Sequence, residues 1–193
     1  MLWKESLSLQ IKSLNNILQI DLENSVKNVI NLLAQCKGII YFTGVGKNYF
    51  TAARVSDTYT SLGLRAQFVD PVNTLHGGMG IFKEEDVIIA LSKSGETIEL
   101  VRFIEALINR NIENIVLVTS NPRSSLQNIS KFVLYLPIEY EGDHLGIAPI
   151  ASTMVYAAVL DSIAVELSSM RNYTKADFIR NHPGGAIGRM DRK

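Results

Sequence analysis

One cysteine, three histidines and no net charge are what this chain of 193 residues offers least of, and each shortage closes a class of explanation. A lone Cys36 cannot build an internal disulfide framework, so stability must come from a core, and a reducing, cytoplasmic setting is expected. His76, His144 and His182 stand far apart, no Cys/His cluster has zinc spacing, and no metal site is expected. Lys plus Arg number 19 and Asp plus Glu number 19, so no overall basic field is present to hold a nucleic acid or an anionic membrane. Any anion must be held locally. Residues 1–12 carry no apolar run like that of a signal peptide. Polar or charged residues interrupt each apolar stretch short of the roughly 18 residues that a membrane span needs, so no membrane partner is expected.

What the chain does have is apolar surface, with 47% hydrophobic residues, enough for one domain over 1–193 with a substantial core. Leu7, Ile11, Leu14 and Leu18, then Leu22, Val26, Ile30 and Leu33, follow helical spacing with a break near Asp21, which predicts an N-terminal helical segment over 1–37. Short β-rich runs follow: IIYFTG at 39–44, RAQFVD at 65–70, DVIIALS at 86–92, NIVLVTS at 114–120 and FVLYLP at 132–137. Residues 49–62 and 97–111 are helix-length, and PIASTMVYAAVLDSIAVELSSM at 149–170 reads as a long apolar helix. Strands alternating with helices predict βαβ units, a five-stranded parallel sheet and helices on both faces, an α/β three-layer sandwich.

Knots of small and polar residues come after the strands: GVGKN at 44–48, SKSGET at 92–97, TSNP at 119–122 and EYEGDHLG at 139–146. All four fall on one edge of such a sheet. With a strand order of 2-1-3-4-5, the connections leaving the first and third strands diverge and open a crevice at their carboxyl ends, flanked by the first two knots. SKSGET suits a phosphate. Ser92, Ser94 and Thr97 offer hydroxyls, Gly95 permits close backbone approach, and a helix starting near Glu96 offers free amides and a positive dipole end. The plain alternative is a helix start capped by Ser94. GVGKN is neither a Walker loop nor a complete dinucleotide fingerprint; Gly44 and Gly46 serve a tight strand-to-helix turn, and Lys47 alone reads equally as a solvated lysine.

Taken in order, GVGKN, HGGMG, SKSGET, TSNP, LGIAPIAST and NHPGGAIGR resemble the sugar isomerase (SIS) domain of arabinose-5-phosphate isomerases, over residues 39–189. The resemblance implies the flavodoxin-like order 2-1-3-4-5. It also implies interconversion of D-arabinose 5-phosphate and D-ribulose 5-phosphate through a cis-enediol, without a cofactor, toward Kdo, the eight-carbon acid sugar of lipopolysaccharide or capsule. By the same resemblance Lys47, His76, Glu96, Glu141 and His182 are the catalytic candidates, with Glu141 first and Glu96 second for the base. Ser92, Ser94, Gly95 and Thr97 match the phosphate loop, while Gly44, Gly46, Asn48 and Ser120 are candidates for further substrate contacts. A homotetramer with active sites near subunit contacts is implied too, and the apolar helix at 149–170 is the surface expected to drive association.

Each candidate has a plainer reading. Glu96 also suits a first-turn acid facing the helix dipole, lone histidines are more often structural, and His144, with no family counterpart, reads as a loop residue. Asp161 and Glu166 read as helix-packing or surface residues. Against the family pattern, Asn48 replaces a serine, Gly78 replaces the aspartate of HGD, and Asp143 and His144 stand in a normally apolar stretch. The chain also ends without the CBS modules of longer members, as a short single-domain form or an excised domain would. These departures leave two other readings open, an isomerase of another sugar phosphate and a sugar-phosphate or nucleotide-sugar sensor. Residues 1–38 are too few and too poor in basic clusters for the helix-turn-helix domain such sensors carry.

Overall fold

The computed structural model describes the backbone of residues 1–192 and the side chains through Arg189, so Lys193, the end of the predicted unit, lies outside the described residues. The N-terminal segment forms two helices, α1 (Leu2–Leu18) and α2 (Glu23–Ala34), broken where Asp21 Oδ1 accepts the Glu23 amide at 3.2 Å. The sheet comprises β1 (Ile40–Gly44), β2 (Ala66–Phe68), β3 (Val87–Leu91), β4 (Ile115–Thr119) and β5 (Phe132–Tyr135). All neighbours pair in parallel, in the order β2-β1-β3-β4-β5. Between strands run α3 (Lys47–Ser61), α4 (Pro71–Thr74), α5 (Ile98–Ile108) and α6 (Ser125–Ile129); α7 (Ala151–Met170) and α8 (Lys175–Asn181) follow.

The period of two along the strands decides the layers. Ile40, Phe42, Ile89, Leu91, Val116 and Val118 point to one face, where Val55 and Tyr59 of α3 and Val155, Leu160 and Ile163 of α7 cover them. Tyr41, Ile88, Ala90, Ile115 and Leu117 point to the other, under Leu100, Phe103, Ile104 and Leu107 of α5 and Leu126 of α6. β1, β3 and β4 are buried along their whole length, as central parallel strands must be, while β2 and β5 are partly exposed edges. The connections leaving β1 and β3 therefore go to opposite faces.

Helix α7 is long and apolar enough to span a bilayer by length and composition, with a mean hydropathy of 1.2, contrary to the expectation that no stretch qualifies. Its composition has a closer cause: 44% of that stretch is buried inside the fold, where α7 packs against α1, α2 and α3. It runs back from the carboxyl edge to the amino edge of the sheet, where the Tyr173 hydroxyl donates to the Ser61 carbonyl at the end of α3, at 3.1 Å.

Candidate active site at the carboxyl edge

The β1–β3 register aligns Gly44 with Leu91, so the turns that follow, 45–48 and 92–97, start side by side at the switch point of the sheet. Gly46 is the N-cap of α3 at φ 63° and ψ −126°, a conformation suited to glycine, and it turns the chain so that Lys47 heads the helix. Lys47 is exposed. A Cβ on Gly44 would come within 2.8 Å of the Asn48 carbonyl oxygen, so strand and helix meet tightly there. Asn48 Oδ1 is buried with no hydrogen-bond partner among the described residues.

The turn after β3 folds on itself. Ser92, buried, accepts the Gly95 amide on Oγ at 3.0 Å and lies 3.3 Å from Thr97 Oγ1, and Ser94 Oγ accepts the Glu96 amide at 3.2 Å. The helix start expected near Glu96 falls at Ile98 instead, with Thr97 as N-cap and no side-chain cap at all. Ser94 closes its hydroxyl on a two-residue turn, so the capped-helix alternative is not what forms. The N-terminus of α5 keeps its dipole end free for an anion. Gly95 sits at φ 66°, and a Cβ there would lie 2.2 Å from Ser124 Oγ, so the turn presses its backbone onto the one after β4.

Both predicted bases are engaged. Glu96 is exposed, yet its two oxygens accept the Ser125 amide at 2.8 Å and the Ser125 hydroxyl at 2.7 Å, and these bonds hold its carboxyl below the usual range. It caps α6 and lines a cleft of about 420 Å³ with Pro122, Arg123 and Asn128. Glu141 is 2% exposed. Its Oε1 takes the Lys93 ammonium at 2.5 Å, and its Oε2 takes the amides of Ile150 at 2.9 Å and Ser152 at 3.0 Å. Burial pushes this carboxyl up, but Lys93 and the Ser152 and Ile150 donors outweigh it and leave it below the ordinary value. Glu141 thus serves as the external cap of α7, whose own N-cap, Ile150, has no side-chain oxygen to offer. The role of base expected of Glu141 meets a carboxylate with no free oxygen.

Ser120 is likewise occupied: its Oγ lies 2.7 Å from the Leu136 carbonyl and 2.6 Å from the Tyr156 hydroxyl, tying the turn after β4 to β5 and α7. His76 is exposed in the turn after α4, which Asp70 caps through Val72 and Asn73. His182 is elsewhere. It ends α8, joined through Asn181 and Tyr173 to the far end of α3, about 20 Å of helix rise from Lys47 and on the amino edge of its own sheet. In this structure the segment does not fold over the carboxyl edge of its own sheet. His144 is exposed, as expected of a loop residue, and Asp161 pairs with Arg54 of α3. Lys93 is missing from the residues predicted by sequence although it stands inside SKSGET, because a lysine in a turn gives no local sign of a partner 48 positions later.

The SIS domain matches residues 32–166. Arabinose 5-phosphate isomerase KpsF of Escherichia coli O6:H1 strain CFT073 is 32% identical over 188 residues, covering 96% of this chain and 57% of the relative. Arabinose 5-phosphate isomerase KdsD of Pseudomonas aeruginosa is 36% identical over 158 residues, covering 82% and 48%. The chain thus spans about half the length of these curated relatives. Among solved structures, E. coli CFT073 c3406 in complex with arabinose 5-phosphate superposes with a TM-score of 0.90 at 31% identity, covering 94% of this chain and 96% of that one. Sheet order and likeness over most of the chain agree, and the chain belongs to the SIS-domain family.

Proposed function

We propose that this chain is an aldose–ketose isomerase that interconverts D-arabinose 5-phosphate and D-ribulose 5-phosphate, in the synthesis of Kdo for lipopolysaccharide or capsule. The observation that carries the reading is the uncapped N-terminus of α5 with its serine-rich turn, set beside Lys47 by the Gly44–Leu91 register. The relatives' names and the neighbour's bound ligand supply the sugar. In this reading Ser94, Thr97, the Gly95 backbone and the α5 terminus hold the phosphate. Gly44, Gly46 and Asn48 shape the wall of the site around Lys47.

The chemistry moves two protons, one between the carbons and one between the oxygens. A base takes the proton from C2 of the open-chain aldose while the C1 oxygen gains a proton, and the resulting cis-enediol takes a proton at C1 from the same base as the C2 hydroxyl gives up its own and becomes a carbonyl. Lys47 stabilises the enediolate as a point charge, and no metal or cofactor is called for. With Glu141 and Glu96 held as anchors, proton transfer passes to the histidines. His182 is preset for it: Nδ1 lies 2.7 Å from the Phe178 carbonyl, an acceptor only, so in the neutral ring Nδ1 carries the hydrogen and Nε2 the lone pair. Because His182 lies at the amino edge of its own sheet, it serves a neighbouring copy, and His76 exchanges protons with the sugar hydroxyls.

This requires a homo-oligomer, which we take to be a tetramer. Support comes from Leu7, Ile11 and Leu18, exposed along one stripe of α1, and from an apolar groove of about 660 Å³ between α1, α2 and α7. A half-exposed free thiol at Cys36 fits a cytoplasmic protein. Steady-state assays with a panel of pentose and hexose phosphates test the function. Arabinose 5-phosphate is expected to give the highest kcat/KM, and turnover of a different sugar phosphate with none of this one would overturn the assignment.

A further inference from the structure

The turn that would hold the phosphate is fastened on one side only, except at one residue. Among the described residues its hydrogen bonds to neighbouring elements run to β4, the turn after it and the start of α6. Ser92 N donates to the Val118 carbonyl, Thr119 Oγ1 and Ser120 N donate to the Lys93 carbonyl, Asn121 Nδ2 donates to the Ser94 carbonyl, Leu126 N donates to the Gly95 carbonyl, and Ser125 donates to Glu96. The exception is the Lys93 side chain, which crosses to the α7 side and meets Glu141. Its partner cannot yield. Glu141 is buried, fixed by two α7 amides on Oε2, and its own carbonyl accepts the Ala151 amide at 3.1 Å.

We propose that Lys93 is a positioning residue for the phosphate-binding turn, its ammonium clasping the Ser92–Thr97 turn to the N-terminus of α7 through the Glu141 carboxylate. The inference rests on the assignment of that turn to the substrate phosphate. Two physical points favour a positioning role over an incidental ion pair. A carboxylate removed from water needs a cation in good geometry, and breaking such a pair leaves a buried charge unmatched, so the contact holds its geometry as a surface pair does not. Lys93 also has its carbonyl pinned by Thr119 and Ser120, so both ends of one residue are held and the turn between Ser92 and Gly95 has little freedom left. A hydroxyl and amide cradle binds well only if it is ordered before the ligand arrives.

The test is Lys93→Met, with Lys93→Arg as the conservative replacement, read by binding of inorganic phosphate and of arabinose 5-phosphate in calorimetry and by the split between KM and kcat. Lys93→Met is expected to weaken both ligands by about tenfold and to raise KM by a like factor, with kcat changed less than threefold, on the order of one charged hydrogen bond. Lys93→Arg is expected to restore most of the affinity. A fall in melting temperature with unchanged phosphate and sugar-phosphate affinity would make the pair merely structural and would overturn the inference. The same holds if Lys93→Met fails to fold while Lys93→Arg binds phosphate as weakly as a charge-free turn should. If the unaltered protein binds neither inorganic phosphate nor any sugar phosphate, the functional reading itself fails, a result the variants do not affect.

Discussion

The His182 imidazole stacks on the Phe178 ring at a centroid separation of 4.1 Å while its Nδ1 meets the Phe178 carbonyl at 2.7 Å. One residue thus sets both the plane and the tautomer of the histidine. His182→Gln is expected to lower kcat at least 100-fold with a smaller change in KM, as for a group that moves a proton. If the histidine serves a neighbouring copy, as proposed, mixing this variant with Lys47→Ala should restore part of the activity that neither has alone. Mixed assemblies that stay as inactive as the parents would place His182 outside the shared site.

Lys47→Ala should fold normally, since Lys47 is exposed at the head of α3 and makes no ion pair among the described residues. Turnover should fall on the order of 100-fold or more if the ammonium stabilises the enediolate. Circular dichroism and steady-state rates measured together decide it; near-normal kinetics would remove Lys47 from the chemistry.

Gly95→Ala probes the turn itself. Its φ of 66° costs an L-residue about 1–2 kcal/mol, and the added methyl would meet Ser124 Oγ at 2.2 Å. Loss of inorganic phosphate inhibition is expected together with a lowered melting temperature. Unaltered inhibition would put the phosphate elsewhere.

Glu141 carries a pH signature. Its carboxyl in the folded chain lies below the ordinary value of 4.5, so the stability it adds is fully present above pH 4.5 and is lost as pH falls through the lower, folded value. Melting temperature should therefore drop below about pH 4.5. Glu141→Gln should be less stable at pH 7, by about 2–3 kcal/mol, and should show a flatter acid limb. An acid limb as steep in the variant as in the original would assign the effect to other carboxylates.

Much of this was legible in the residues. The short β-rich runs alternating with helix-length segments predicted five parallel strands covered by helices on both faces, and the polar knots after the strands marked the edge that carries the candidate site. Other features depend on partners distant in sequence, which local patterns do not encode. Glu141 is anchored by amides nine and eleven positions later and by a lysine 48 positions earlier. The start of α5 moved to Ile98 because Ser94 spent its hydroxyl on the Glu96 amide. The tail lies at the amino edge because Tyr173 reaches Ser61, a contact across 112 positions that the Gly-rich HPGG string does not announce.

The central claim is that this site moves a proton on a sugar phosphate and does not merely bind one. Arabinose 5-phosphate incubated with the protein in deuterated water, followed by NMR, tests it directly. The expected result is conversion to ribulose 5-phosphate together with deuterium appearing at C2 of the returning aldose, as a solvent-exchanging cis-enediol requires. Saturable binding with neither conversion nor exchange would contradict the account and make the chain a sugar-phosphate sensor.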